Sequence, residues 1–201
     1  MTTLASPAER RSPRLAGLAL IVVLAAVAAI PLGALWGAFG PYAHRAPDFT
    51  LTDQAGRPFT LSAQAGHPVV IFFGYTHCPD ECPITLARLS QALHAPDVPP
   101  GTEVVLITVD PARDSPAVLG RYVRAFDASI VGLTGTPQAL ESVYAAYHTW
   151  HQRTPPESGE HGYSVAHGTT IYYLGRGGSL KGFGNWDDST ATIVRALHDL
   201  S

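Results

Sequence analysis

The chain is poor in sulfur and in lysine. Cys78 and Cys82 are the only cysteines in 201 residues, methionine occurs once, and Lys181 is the sole lysine. A lone cysteine pair lacks the second cysteine pair that most zinc fingers need. No run of basic residues exists, so the electrostatic footprint of a nucleic-acid binder is missing. No proline follows Pro156, and no repeat or low-complexity tract interrupts the sequence after its apolar N-terminal stretch.

Residues 15–43 carry no charge and follow Arg10, Arg11 and Arg14. A cleavable signal peptide has an apolar region of about 7–15 residues, whereas spanning a bilayer takes roughly 20. The sequence therefore predicts a transmembrane anchor over 15–39 in preference to a cleaved signal. Trp36, Phe39 and Tyr42 crowd its far end, as amphipathic rings do at a membrane boundary. Three arginines against Glu9 place residues 1–14 in the cytoplasm by the positive-inside rule. A linker over 40–45 and a folded domain over 46–201 follow, facing an extracytoplasmic space. The short N-terminus, without a long organelle-targeting segment, points to a bacterial inner membrane and its periplasm. Of 13 basic and 16 acidic residues, three and one precede residue 15, which leaves the remainder near −5. In an oxidising compartment two cysteines become a disulfide unless a reductant or a bound metal keeps them apart.

Beyond the anchor, strand and helix patterns alternate. "APDFTLTDQAGRPFTLS" (46–62) predicts a hairpin turning at Asp53–Arg57. "PVVIFFG" (68–74) and "EVVLITVD" (103–110) are continuous apolar runs, the mark of strands buried on both faces. "ITLARLSQALH" (84–94) carries a helical stripe of Ile84, Leu86, Leu89, Ala92 and Leu93. Helices over 114–127 and 136–148 each open on a cap residue and a proline, Ser115–Pro116 and Thr136–Pro137. A short strand over 129–135 lies between them. Residues 149–163 have no apolar period and are expected to form a loop long enough to be functional. Strands over 169–175 and 179–184 and a helix over 189–200 close the chain. The fold class is α/β, a mixed central sheet flanked by helices in the thioredoxin-like order, with an added N-terminal hairpin.

The chemistry gathers in "GYTHCPDECP" (74–83), where a buried strand ends and a helix begins, the edge at which open α/β sheets bind ligands. Thioredoxin-type redox sites have two residues between their cysteines; here there are three. If the helix is formed by Cys78, spacing of four puts both sulfurs on one face. Asp80 and Glu81 oppose thiolate formation, so no strongly acidic cysteine is expected. Two soft sulfurs suit Cu(I) or zinc, and a third ligand is wanted. Histidines stand at 44, 67, 77, 94, 148, 151, 161, 167 and 198. His44, His67, His94 and His198 read as surface residues, and His148 and His151 sit where a cation suits a helix end. His77 adjoins Cys78 and could face an ion or turn away; His161 lies in the loop. His167 stands directly before the strand at 169, a junction that a thioredoxin-like fold brings beside the cysteine turn.

"FFGYTHCPDECPITLARL" (72–89), "VDPARDSP" (109–116), "GLTG" (132–135) and "HGTTIYYL" (167–174) together resemble the Sco/SenC family of copper-binding proteins. The resemblance runs from about Ala46 to the C-terminus and takes in the anchor. It implies copper, as Cu(I) or Cu(II), held by Cys78, Cys82 and His167. It also implies an oxidase subunit as recipient, in assembly of the binuclear copper centre of cytochrome c oxidase. The family commonly has an aspartate before that histidine; Ala166 stands here. Asp110, Arg113 and Asp114 could be read as catalytic, but a strand-end turn and helix start accounts for them.

Three functions compete. A membrane-anchored copper chaperone, not an enzyme, is favoured by the cysteine spacing and by His167. A thiol–disulfide oxidoreductase acting on the copper recipient is the alternative. Such enzymes resemble one another in a cis-proline before the strand that begins here at 169, and this chain has none there. A structural disulfide in a scaffold ranks last.

Overall fold

The computed structural model describes residues 45–155 and 162–200. The expected anchor, the segment before it and most of the linker lie outside the described residues, as do 156–161. Among the described residues no helix is long and apolar enough to cross a membrane.

The predicted hairpin forms from β1 (Thr50–Asp53) and β2 (Pro58–Thr60). Asp53 shapes the turn: its carboxylate accepts from the Ala55 and Arg57 backbone and from the Arg57 guanidinium. After a short 3₁₀ turn (Leu61–Gln64) come β3 (Val69–Gly74), α1 (Glu81–Leu93), β4 (Glu103–Thr108), α2 (Pro116–Arg124), β5 (Val131–Thr134) and α3 (Pro137–Ala146). Both predicted caps are made, the Ser115 hydroxyl accepting from the Val118 N–H and Thr136 from that of Ala139. The proline after each cap has no N–H to waste.

The expected loop at 149–163 is in part a strand. Residues His151–Thr154 form β6 and pair antiparallel with β7 (Ser164–His167), His151 opposite His167. All four β6 residues are polar and its pattern lacks buried positions, so no period-2 signal exists to find. Then follow β8 (Thr170–Leu174), β9 (Leu180–Asn185) and α4 (Thr190–His198).

Seven strands form one sheet in the order β2-β1-β5-β4-β3-β8-β9. The central three, β3, β4 and β5, run parallel; β1, β8 and β9 are antiparallel to their neighbours. The strand β3 is hydrogen-bonded on both edges and buried along its whole length, with Val70, Ile71, Phe72 and Phe73 fully inaccessible. That is why its sequence is a run and not an alternation. Helix α1 packs on α4, and α2 on β5. The sheet is thus mixed and helix-flanked with an added hairpin, as the sequence predicts. Its rigid centre ends at Gly74, where the cysteine turn begins.

Candidate metal centre

The sulfurs are placed by the end of β3. Thr76 is tied to Asp114: its backbone N–H donates to one carboxylate oxygen at 3.1 Å and its hydroxyl to the other at 2.6 Å. Asp114 is fully buried and also accepts from the Thr108 hydroxyl at 2.6 Å. Burial raises its pKa, while those donors favour the charged form. The Cys78 N–H then closes a turn onto the Tyr75 carbonyl.

The helix does not reach back to Cys78; α1 starts at Glu81, and Asp80 at its N-cap makes no side-chain cap. Instead the Cys82 backbone N–H donates to Cys78 Sγ at 3.4 Å, so the sulfur serves one of the helix's orphan donors. The two sulfurs still meet, because the turn brings Cys78 over the first helical turn. Gly74 makes room beneath: a Cβ there would lie 2.8 Å from Cys82 Sγ.

His167 ends β7 and is 7% exposed. The edges of Phe72 and Tyr75 enclose its ring, with centroids 6.5 and 5.7 Å away. Its Nδ1 lies 2.9 Å from the Gly168 carbonyl, which can only accept, so Nδ1 carries the proton. The Nε2 lone pair is left facing Cys82 Sγ at 3.6 Å. A main-chain carbonyl therefore does the orienting that a neighbouring carboxylate would do, and Ala166 leaves the ring direction intact.

Cys78 Sγ, Cys82 Sγ and a His167 nitrogen lie within 4.8 Å of one another. Donors about 2.0–2.3 Å from a shared ion are separated by roughly 3.5–4 Å, so a small contraction would let them share one. The electrostatics divide the two thiols. Cys78, half-buried, is pushed down to about 4, chiefly because the Cys82 thiol donates to it, with the Cys82 and Asp80 N–H groups adding to the effect. Cys82, fully buried, moves the other way, since its proton is held between the partners and burial penalises its charge. A strongly acidic cysteine is thus present, against expectation: the partner thiol and aimed N–H groups outweigh Asp80 and Glu81. The centre opens into a cleft of about 470 Å³ lined by Cys78, Pro79, Asp80, Trp150, Ala166 and His167.

The remaining described histidines stay outside this cluster. His77 is exposed and near the Thr76 hydroxyl, His94 pairs with Asp127, His151 with Glu141 and His198 with Asp199. His67 packs on Gly101 and His148 is exposed with φ 52°. His44 and His161 lie outside the described residues. Asp110 and Asp114 do form the strand-end turn, as read from sequence, and Asp114 also ties down Thr76 on the cysteine side. Nothing local in the sequence signals that tie, which spans 38 positions.

The SCO1/SenC family model matches residues 40–201. The bovine mitochondrial protein SCO2 homolog is 35% identical over 130 residues, 63% of this chain and 48% of that protein, so the chain spans about half of this relative. The Arabidopsis thaliana ScoI structure with copper bound is 27% identical with a TM-score of 0.71, covering 78% of this chain and 98% of that one. For Bradyrhizobium japonicum ScoI with copper bound the values are 33% and 0.66, over 78% and 98%. With the family's match running from before the first strand to the last residue, this chain belongs to the SCO1/SenC family.

Proposed function

We propose that the chain is a copper metallochaperone, which holds one copper ion between Cys78, Cys82 and His167 and delivers it to the binuclear copper centre of cytochrome c oxidase during assembly. The observation that carries this reading is the convergence of two thiol sulfurs and one lone-pair nitrogen on a space for a single small ion. That donor set suits copper, and two sulfurs with one imidazole accept either Cu(I) or Cu(II). Copper is cargo here. Cys78 supplies a ready thiolate at the cleft, Cys82 a buried sulfur that yields its proton on binding, and His167 a nitrogen already in the ligating tautomer. A three-ligand site at an open edge suits transfer, because an incoming thiolate or imidazole can replace the donors one at a time. The copper-bound relatives support the cargo's identity. The apolar stretch at 15–39 supports an anchored protein whose domain faces the periplasm from a bacterial inner membrane.

Titration of the reduced domain (44–201) with Cu(I) against a competing chelator tests the reading. One equivalent binds, and His167→Ala weakens binding sharply; equal affinities would sink the three-ligand site.

A second reading draws on the acidic Cys78. A thiolate beside a protonated thiol can also attack a disulfide, so the chain could reduce cysteines of the copper recipient. Robust turnover of a recipient disulfide without copper would establish it.

A further inference from the structure

His167 is held by a weak element. The β6–β7 ribbon is not part of the seven-stranded sheet, and a two-stranded ribbon is marginal by itself. Something else must fix the histidine against the cysteines, and three side chains outside the donor set are arranged to do so. Asp110, 1% exposed, sits just beyond the end of β4. One of its carboxylate oxygens pairs with the Arg113 guanidinium, and the other accepts from the Tyr163 hydroxyl at 2.7 Å. Arg113 in turn donates to the Tyr163 carbonyl at 2.9 Å and lies over the Tyr163 ring at 3.8 Å. Tyr163 therefore has its hydroxyl, its ring and its carbonyl all engaged by this pair, immediately before β7 begins. Arg153 of β6 covers the same ring at 4.5 Å, so the clasp reaches both strands of the ribbon. Further along β7, the Val165 N–H donates to the Tyr75 hydroxyl at 3.2 Å, which links the ribbon to the residue that follows β3.

We infer that Asp110, Arg113 and Tyr163 form a brace that positions His167 against Cys78 and Cys82. Asp110 neutralises Arg113 and accepts from Tyr163; Arg113 grips the tyrosine backbone and ring; Tyr163 sets the start of the strand that ends, four residues on, in the histidine. None of the three touches the ion's space, so they act through His167 and are positioning residues. The same turn supplies Asp114, which ties down Thr76 on the cysteine side. One short segment thus sets both halves of the centre. The inference rests on the copper reading for its consequence but not for its mechanics, which exist in the metal-free protein.

The test uses the full-length chain carrying Tyr163→Phe, Asp110→Asn or His167→Ala, and the double variant Asp110→Asn/His167→Ala. Tyr163→Phe deletes one hydroxyl and keeps the stacked ring, so it remains informative if Asp110→Asn folds poorly. Two measurements are made. Amide hydrogen exchange on the metal-free protein should rise about tenfold at 163–168 in Tyr163→Phe, with β3 and β4 unchanged. Cu(I) release to a chelator should quicken about tenfold in Asp110→Asn, and less in Tyr163→Phe, as when groups that orient a ligand are removed. In the double variant, Asp110→Asn should add nothing to His167→Ala, because both act on one ligand. Additive release rates, or unchanged exchange at 163–168, would overturn the brace. If His167→Ala leaves copper release unchanged, the copper reading fails instead, and the exchange measurement alone decides the brace.

Discussion

The two halves of the centre are built to different standards. The cysteines leave a strand that is hydrogen-bonded on both edges and fully buried, and their turn is fastened by the buried Asp114. The histidine arrives 85 residues later on a ribbon outside the main sheet, beside a long polar connection. Local stability follows buried apolar contact and hydrogen bonding, so the sulfurs are the fixed side of the site and the imidazole the side with give. The proposed copper carrier must both hold and surrender an ion, and that division serves both.

Thiol alkylation offers the sharpest contrast. Reduced protein treated with iodoacetamide should be modified at Cys78 alone, with Cys82 reacting only after unfolding, as peptide mass mapping would show. Because the Cys78 pKa is lowered to about 4, its thiolate persists as pH falls from 8 and is lost only on approach to that value. The alkylation rate should therefore stay nearly flat from about pH 8 to 6, whereas a free thiol of pKa near 8.5 would slow tenfold per unit. Equal labelling of the two cysteines would erase the contrast.

On the fixed side, Asp114→Ala leaves the Thr108 hydroxyl and both Thr76 donors without a buried acceptor. A loss of about 3 kcal/mol in urea-induced unfolding is expected. Gly74→Ala pushes a methyl group toward Cys82 Sγ, Phe72 and Leu106 and should cost about 2 kcal/mol in the same assay. Were Gly74→Ala neutral, the packing under Cys82 would be looser than the fixed side requires. The smallest effect belongs to the histidine side. Ala166→Asp adds a carboxylate at the cleft, but the Gly168 carbonyl already sets the histidine tautomer, so copper affinity should shift by less than about 1 kcal/mol. A larger gain in competitive titration would mean that the carbonyl orients His167 poorly.

Several features were legible because local chemistry specifies them. The apolar runs of β3 and β4, the turn held by Asp53, and the Ser115 and Thr136 caps all formed where the residues predicted them. In each case the sequence neighbours carry the whole signal. The β6 strand was invisible for the converse reason: its polar residues gain strand geometry only from pairing with β7. The acidity of Cys78 was misjudged on the two adjacent acids, since its chief cause is a thiol four positions away across a turn.

Sequence alone determined the order of the apolar strands and capped helices and the mixed sheet, because periodicity and caps are properties of short segments, and the resemblance in its motifs pointed to Cys78, Cys82 and His167 as the candidate donors. Tertiary structure decided how those donors meet. It placed Cys78 before the helix and not within it, turned Nε2 toward Cys82 through a neighbouring carbonyl, and set Asp110, Arg113 and Tyr163 between the sheet and the ribbon. Each of these is a relation between groups distant in sequence, fixed by burial and hydrogen-bond geometry that no short segment encodes.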